Sequence, residues 1–302
     1  MKNTFILHLF IVFLCINKSI AQSNKDTLNF LSAKWEITNL NKDLMWKHYQ
    51  FKEKELFNSN QNIHIIIAKR KTWFNRPRSI PAFISDGDSL ELTSVLAKNN
   101  NALVAINGSF FDVKKGGAVD FIRINNQIFD STRHNGKRLA EHQMSALVIS
   151  KNHKISIEHA RDSVELRWET RLNAPNVMVT GPLLIFDKKP YPLSKSAFND
   201  NRHPRSCACI TNKNELILLT ADGRTAEAQG LNLKELTILM GQLNCKSAVN
   251  LDGGGSTTMY LSNALFHPIA DESGVVNMPC DNKKFDHEGE RKVSNILILK
   301  KN

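Results

Sequence analysis

The segment from Val249 to Thr258 constrains the fold more than any other part of this sequence. It reads Val-Asn-Leu-Asp-Gly-Gly-Gly-Ser-Thr-Thr. Val249 and Leu251 are typical of the end of a buried strand, which places Asp252 at the carboxyl end of that strand. Consecutive glycines permit positive φ and a close approach of the backbone to a ligand, and successive N–H groups in such a turn suit an anion. The segment predicts a strand that ends in an anion-binding turn; a tight turn with a capping aspartate is the alternative.

Strand patterns outnumber helical patterns along the chain. Residues Ile63 to Ala68 form a β-branched run, and the apolar runs at 103–106 and 216–219 are continuous, as in strands buried on both faces. Helical spacing of apolar residues occurs at 90–98 and 233–243. We therefore predict an α/β (mixed α+β) fold, with a single domain of mixed β-sheets and packed helices.

The amino terminus predicts export. Lys2 precedes an apolar run from Phe5 to Ile16, and Ser19-Ile20-Ala21 follows as a small-x-small cleavage site. The run is short for a bilayer span, so we expect a signal peptide at 1–21 and no membrane insertion. Residues 22–60 are predicted to be an N-terminal segment packed on the domain formed by 61–302. The mature protein is then periplasmic or secreted.

The charge of the chain favours an anionic partner. The formal net charge is +11, and removal of Lys2 and Lys18 with the leader leaves +9. Such a balance suits a phosphorylated glycan. Export and the lack of a recognition motif argue against nucleic acid, and the sequence predicts no oligomeric state.

Four cysteines remain after the leader is removed, and none of them is in a C-x-x-C pair. Cys207 and Cys209 would lie on the same face of a strand, roughly 6.6 Å apart, so we do not expect them to pair with each other. An exported protein permits a bridge between more distant cysteines. The sequence leaves the pairing of Cys207, Cys209, Cys245 and Cys280 open.

Two groups of charged residues are candidates for chemistry. Asp112, Asp222 and Asp252 each follow a predicted strand, and ligand sites in α/β sheets favour strand carboxyl ends; singly, each would be an ordinary turn residue. The second group is Arg202-His203-Pro204-Arg205, in which Arg suits phosphate and His suits proton transfer. A solvated basic loop is the alternative for this group.

Several blocks together resemble the phosphodiester glycosidase family. They are Asn107-Gly108-Ser109-Phe110-Phe111-Asp112, Gly181-Pro182-Leu183-Leu184, Arg202-His203-Pro204-Arg205, Asp222-Gly223-Arg224, Asn250-Leu251-Asp252-Gly253-Gly254-Gly255-Ser256-Thr257 and Val293-Ser294-Asn295. The resemblance covers about residue 60 to the C-terminus. The family often has Gly at the position of Ser109, and usually Thr and small residues at Ser206, Cys207 and Cys209.

The resemblance implies a hydrolase that cleaves a sugar-1-phosphodiester between the anomeric carbon and oxygen, such as an alpha-N-acetylglucosamine-1-phosphodiester. The catalytic candidates are Asp252, Asp222, Arg205 and His203. Either aspartate would activate water or stabilise the cationic sugar, and Arg202 and Arg205 would stabilise the phosphate with the glycine amides. The substrate-binding candidates are Asn107, Asp112, Arg202, Arg224, Gly253, Gly254, Gly255, Ser256 and Thr257.

Two other functions remain open on the sequence. One is a non-catalytic exported module that binds phosphorylated surface polysaccharide. The other is a metal-dependent phosphodiesterase with Asp112, Asp222 and Asp252 as ligands of a divalent cation. The glycosidase interpretation requires no cofactor, and a divalent cation belongs to the last alternative.

Overall fold

The computed structural model describes residues 24–69, 79–134, 136–263 and 272–302, so the predicted signal peptide at 1–21 lies outside the described residues. The described part of helix α1 covers 24–32. The other helices are α2 (Thr93–Asn99), α3 (Ala197–Asp200) and α4 (Leu233–Gln242). The strands are β1 (Glu36–Asn39), β2 (Leu44–Leu56), β3 (Ser59–Ala68), β4 (Ser79–Ser85), β5 (Glu91–Leu92), β6 (Ala102–Asn107), β7 (Ile122–Ile124), β8 (Gln127–Asp130), β9 (Ser145–Ile149), β10 (Ile155–His159), β11 (Asn176–Val179), β12 (Leu183–Phe186), β13 (Lys189–Pro190), β14 (Arg205–Thr211), β15 (Leu216–Ala221), β16 (Cys245–Asn250), β17 (Met259–Leu261), β18 (Lys292–Val293) and β19 (Asn295–Lys301).

An eight-stranded antiparallel sheet forms the centre of the fold, in the order β1-β2-β3-β15-β14-β16-β12-β13. Its central strands are buried on both faces. Because successive side chains of a strand point to opposite sides, neighbouring residues enter different hydrophobic clusters. Ile65 and Leu219 face one hydrophobic cluster, whereas Ile66 and Leu218 face the other. The continuous apolar runs in the sequence therefore report two covered faces.

Two smaller antiparallel sheets cover one face of the central sheet. Their orders are β17-β6-β19-β4 and β10-β9-β11-β7-β8. Val104 of β6, Leu147 of β9 and Leu297 of β19 share one hydrophobic cluster with Ile66 and Leu218. This arrangement buries the inner faces of all three sheets against one another.

Helices cover the opposite face. Leu236 and Leu239 of α4 pack with Phe30 of α1 against the central sheet. Asn232 accepts a hydrogen bond from the backbone N–H of Glu235, and Glu235 accepts one from that of Asn232, which forms a capping box at the start of α4. The predicted helix at 233–243 is thus present with nearly the same bounds.

Helix α2 starts later than the predicted 90–98. Glu91 and Leu92 pair as strand β5 with Val293 and Lys292 of β18, which keeps them extended. Tertiary pairing overrides the local helical pattern at these two residues. The predicted mixed α+β class with packed helices is confirmed, and the sheet pairings of the described residues are antiparallel.

A disulfide joins Cys209 of β14 to Cys245 of β16, while Cys207 and Cys280 are buried free thiols. The bridge therefore links two neighbouring strands of the central sheet and does not join Cys207 to Cys209. Within the described ranges, no helix has the length and apolar character needed to cross a bilayer.

Candidate active site

Strand direction brings three of the sequence candidates to one edge of the central sheet. Strand β14 pairs antiparallel with both β15 and β16, so β15 and β16 run in the same direction. Their carboxyl ends, followed by Asp222 and Asp252, therefore lie at the same edge as Arg205, the first residue of β14. The sheet topology explains how residues far apart in sequence become neighbours.

Asp252 stands where β16 ends and the glycine loop begins. Its Oδ1 accepts a hydrogen bond from the Gly253 N–H at 2.9 Å, and its backbone carbonyl accepts one from Asn107 Nδ2 at 2.7 Å. Burial raises the pKa of the Asp252 carboxyl to about 6; the Ser256 hydroxyl, the Gly253 N–H and the charge of Arg291 partly oppose that rise. The carboxyl is therefore mostly ionised at neutral pH and is a stronger base than an ordinary aspartate.

The glycine loop allows other groups to come close to its backbone. Gly254 has φ +63°, and its N–H donates to the Pro204 carbonyl at 2.9 Å. A Cβ at Gly255 would lie 2.2 Å from Asp281 Oδ1 and 2.7 Å from Arg291 Nη2. The loop therefore needs glycine both for its left-handed turn and for contact with a charged pair.

Two guanidinium groups border this loop. A Cβ at Gly254 would lie 3.0 Å from Arg224 Nη2, so the Arg224 side chain lies directly over that residue. Arg224 is exposed and makes no ion pair in the part of the chain that the structure describes. Arg291 instead forms two hydrogen bonds with Asp281, of 2.9 Å from Nε and 2.6 Å from Nη2. Arg224 is thus the cation of this pair that remains open to an anionic ligand.

The two arginines expected to hold phosphate have protein partners. Arg205 is fully buried; its Nε donates to the Leu231 carbonyl at 2.9 Å, and its guanidinium lies 4.7 Å from the centre of the Phe198 ring. Burial lowers the pKa of Arg205 to about 10. Arg202 donates from Nε and Nη2 to Glu235 and from Nη2 to the Phe57 carbonyl. The structure thus gives both side chains partners in the scaffold, and the phosphate clamp expected of them stays a prediction.

Asp222 is also occupied by the protein. Its carboxylate accepts hydrogen bonds from Asn62 Nδ2 and Asn277 Nδ2, each at 2.7 Å, and from the Met278 N–H at 3.0 Å. The residue is 1% exposed, and burial raises its pKa to about 6 against these bonds. Its contacts tie β15 to β3 and to the 277–278 segment, and the catalytic role expected of it stays a prediction.

The remaining candidates divide between the loop and its surroundings. Asp112 caps the N–H groups of Lys114 and Lys115 and pairs with Arg133 at 3.0 Å; these backbone bonds lower its pKa. Its described contacts are local and do not include Asp222 or Asp252. Asn107 is buried behind the loop, where it accepts from the Ser206 hydroxyl and the Thr258 N–H.

His203 and Thr257 also lie at this edge. His203 exchanges two backbone hydrogen bonds with Leu231, and burial together with the charges of Arg205 and Arg224 lowers its pKa. The imidazole is therefore neutral at physiological pH. Thr257 is fully buried, and its hydroxyl has no hydrogen-bond partner among the described residues.

Comparison with known proteins identifies the family. A model of the phosphodiester glycosidase family matches residues 100–300, about two thirds of the chain. The chain belongs to the phosphodiester glycosidase family. The predicted resemblance is thereby confirmed, and the matched residues include Asp222, Arg224 and the whole glycine loop.

Curated relatives are similar in sequence to only a part of this chain. The mouse N-acetylglucosamine-1-phosphodiester alpha-N-acetylglucosaminidase is 40% identical over 72 residues, which cover 24% of this chain and 14% of that protein. The human protein of the same name is 43% identical over 53 residues, covering 18% and 10%. The uncharacterized SPbeta prophage-derived protein YomE of Bacillus subtilis (strain 168) is 29% identical over 108 residues, covering 34% and 17%. The matches thus span less than a fifth of each relative's length.

Solved structures show the same fold. The zebrafish N-acetylglucosamine-1-phosphodiester alpha-N-acetylglucosaminidase catalytic domain, auto-inhibited by its pro-peptide, aligns with a TM-score of 0.64 and 18% identity over 89% of this chain and 88% of that one. A hypothetical protein from Synechocystis aligns with a TM-score of 0.58 and 13% identity, covering 89% and 64%. At these identities the likeness concerns the fold.

Sequence reasoning about this phosphodiester glycosidase family member missed Arg291 and Asp281. They come from the polar stretch before β18, where no periodic pattern marks individual residues. One signal was present, because Arg291 stands two residues before the Val293-Ser294-Asn295 block. Asp112, Asp222 and Asp252 do not assemble into a cation site, and the described ranges contain no cluster of three or more His, Cys, Asp or Glu side chains that could hold a metal ion.

Proposed function

We propose that this protein is an exported glycosidase that hydrolyses a sugar-1-phosphodiester in a phosphorylated glycan. One observation carries the proposal: an aspartate of raised pKa, Asp252, shares the glycine loop with an exposed guanidinium that has no ion-pair partner in the described residues, Arg224. A basic carboxylate and a free cation are the two charges that this hydrolysis needs. The names of the mouse, human and zebrafish relatives support an alpha-N-acetylglucosamine-1-phosphodiester as the substrate.

The reaction develops positive charge on the sugar, opposite Asp252, and negative charge on the leaving phosphate, opposite Arg224. Water attacks the anomeric carbon, the bond from that carbon to the phosphate oxygen breaks, and its electron pair leaves with the phosphate monoester. Positive charge develops on the sugar in an oxocarbenium-like transition state. The Asp252 carboxylate faces this charge and is basic enough to take the proton of the attacking water. Both functions require the ionised form.

Arg224 takes the place expected of Arg202 and Arg205. Its planar guanidinium suits two oxygens of a phosphate, and charge-assisted hydrogen bonds of this kind are roughly twice as strong as neutral ones. Of the glycine amides, Gly253 donates to Asp252 and Gly254 donates to Pro204. Arg224 therefore supplies the positive charge that stabilises the leaving phosphate.

Export has support from two sides. The leader-like residues 1–21 predict secretion. The disulfide between Cys209 and Cys245 belongs to an oxidising compartment, since cytosolic reductants keep most thiols reduced. A periplasmic or secreted location fits both.

The test is hydrolysis of the methyl phosphodiester of alpha-N-acetylglucosamine 1-phosphate in water enriched in oxygen-18. The proposed cleavage places the label in free N-acetylglucosamine and none in the phosphate. A metal-dependent phosphodiesterase would label the phosphate and lose activity with a chelator. A non-catalytic glycan-binding module would release neither product, and either result would overturn the proposal.

A further inference from the structure

A pocket of about 260 Å³ opens next to the Asp252 loop and has no part in the chemistry described above. Its apolar walls are Phe110, Pro182 and Phe198. Phe110 follows two residues after Gly108, whose carbonyl accepts the Asp252 N–H, and the Pro182 carbonyl accepts the Asn250 N–H at 3.0 Å. Two separate backbone connections thus join walls of the pocket to the segment that carries Asp252.

His142 lines this pocket with its imidazole. It lies on the 3₁₀ turn Glu141–Gln143, and its ring meets Phe110 edge to face at 5.2 Å between centroids. The turn is fixed because Glu141 accepts hydrogen bonds from the Ser194 hydroxyl at 2.7 Å and from Asn199 Nδ2 at 2.8 Å. The imidazole is therefore presented to the pocket by a rigid support.

The Gly181-Pro182 block has a physical purpose in this arrangement. A Cβ at Gly181 would lie 2.9 Å from the Cα of His142 and 3.0 Å from its carbonyl oxygen. Any larger residue would push the turn away from the sheet. The motif therefore secures the position of His142, a residue that stands outside every family block quoted above.

A buried carboxylate stands behind the imidazole. Asp120 is fully buried, and its Oδ1 accepts a hydrogen bond from Gln143 Nε2 at 3.0 Å. Its Oδ2 has no hydrogen-bond partner of standard geometry in the described chain, and His142 Nε2 lies 3.4 Å from it. A buried carboxylate with one oxygen lacking a hydrogen bond destabilises the fold unless a neighbouring group can pair with that oxygen. Here the neighbour is His142.

The ionisation of this pair depends on its surroundings. Burial raises the pKa of Asp120 to about 7, and the nearby charge of Glu169 adds to the rise, while Gln143 opposes it. Burial lowers the pKa of His142, and Glu141 opposes that change. At pH 8 the pair therefore consists of a carboxylate and a neutral imidazole, and the nearby carboxylate favours the tautomer with the proton on Nε2.

We propose that His142, positioned by Asp120, is the residue that recognises the sugar ring of the substrate in this pocket. Nδ1 accepts a hydrogen bond from a ring hydroxyl, and Phe110, Pro182 and Phe198 pack against the carbon-bound hydrogens of the ring. A few placed polar groups among apolar walls are typical of small-ligand sites. The sugar as ligand rests on the proposed function; the placement of His142 rests on the geometry alone.

The experiment measures binding of free N-acetylglucosamine to the purified protein by NMR titration, separately from turnover. His142→Phe keeps an aromatic ring but removes the acceptor, and we expect its Kd to rise about tenfold, with a matching rise in KM and a smaller change in kcat. His142→Gln restores an acceptor and recovers part of the loss. His159→Phe is the matched control, because His159 is another half-buried histidine set edge-on against a phenylalanine, Phe186.

Asp120→Asn tests the positioning role. The wild-type affinity for the sugar improves from pH 6 to pH 8 as the Asp120 carboxyl ionises, and the variant loses this pH dependence while remaining folded. A flat wild-type profile, or equal effects of the His142 and His159 substitutions, overturns the proposal. If the wild type binds sugar through His142 yet releases none from the diester, the proposed function fails and this inference stands. If the diester is hydrolysed and the His142 substitutions change neither sugar binding nor KM, the proposed function stands and this inference fails.

Discussion

The backbone N–H of Asp252 donates a hydrogen bond to the carbonyl oxygen of Gly108, with 2.9 Å between nitrogen and oxygen. Asp252 follows a strand of the eight-stranded sheet, whereas Gly108 follows β6 of the four-stranded sheet. A Cβ at Gly108 would lie 2.0 Å from Asn295 Oδ1, so Asn295, the first residue of β19, also meets this junction. Three blocks that are separate in the sequence thus form one structural unit around Asp252.

This junction makes Asp252 testable without loss of fold. In Asp252→Asn the backbone hydrogen bonds to Gly108 and Asn107 remain, and only the negative charge is removed. We expect kcat on the methyl phosphodiester to fall on the order of a hundredfold or more. The circular dichroism spectrum should match that of the wild type, and the thermal midpoint should be no lower; near-normal turnover in a folded variant would show that the charge of Asp252 is not used.

Asp222→Asn should give the opposite result. The new amide replaces one carboxylate oxygen by N–H₂, which then faces either the donors at Oδ2, Asn62 Nδ2 and the Met278 N–H, or the donor at Oδ1, Asn277 Nδ2. Leaving such buried groups unpaired costs about 1–3 kcal/mol each. Chemical denaturation should therefore show a clear loss in the free energy of unfolding. A variant as stable as the wild type but inactive would return Asp222 to a catalytic role.

The sheets, the helices α2 and α4 and the position of the glycine loop could be predicted from local patterns. Burial on both faces leaves continuous apolar runs, as at 216–219, and a strand that ends in glycines predicts where the backbone turns. The partners of the charged side chains could not be predicted in this way. Arg205 and Arg224 are equally basic in sequence, yet one is buried against Phe198 and the other is exposed over Gly254. Which guanidinium remains free depends on packing between distant segments.

The pH dependence of kcat/KM should follow the ionisation of Asp252. Burial raises the pKa of this carboxyl to about 6, and catalysis needs its charged form, so kcat/KM should rise through pH 6. In Asp120→Asn, which lacks the second ionisation that affects sugar binding, kcat/KM should level off above pH 7. His203 has a lowered pKa and adds no second rise above that range. Initial rates from pH 4.5 to 8.5 test this; a profile already flat between pH 5 and 7 would contradict it.

The same pKa predicts a change in stability. A carboxyl with a raised pKa binds a proton more tightly in the folded state, so it destabilises the fold progressively as pH rises from about 4 to about 6. Relative to the wild type, Asp252→Asn should therefore gain stability with rising pH, by at most about 3 kcal/mol at neutrality. Urea melts of both proteins at pH 4 and pH 7 measure this difference, and an offset that is the same at both values would argue against a raised pKa.

Reduction of the Cys209–Cys245 bridge should weaken the central sheet. The two residues are 36 positions apart, and closing a loop of that length restricts the unfolded chain by about 3–4 kcal/mol. We expect Cys209→Ala with Cys245→Ala to lower the free energy of unfolding by up to this amount. Cys207→Ala is a suitable control, because Cys207 is a buried free thiol on the same strand; equal losses would mean that packing, not the bridge, is responsible.

We expect Arg224 to act only on substrates whose leaving group is a phosphate. If its guanidinium holds the phosphate, Arg224→Ala will lower kcat/KM on the methyl phosphodiester of alpha-N-acetylglucosamine 1-phosphate by on the order of a hundredfold. A matched aryl glycoside with the same sugar has no phosphate, so its hydrolysis should change far less. The ratio of the two losses cancels general damage to the fold.

Arg205→Ala is the informative comparison for this experiment. Arg205 donates to the Leu231 carbonyl and supports the Phe198 ring, so its loss should affect both substrates alike and lower the stability of the protein. If Arg202 and Arg205 hold the phosphate, as the sequence predicts, the result is reversed. Loss of Arg205 then affects mainly the phosphodiester, and loss of Arg224 affects both substrates equally. Because the two arginines occupy the same edge of the sheet but differ in burial, the pair of ratios assigns the phosphate to one of them. If each variant loses the same activity on both substrates, neither Arg205 nor Arg224 binds the phosphate.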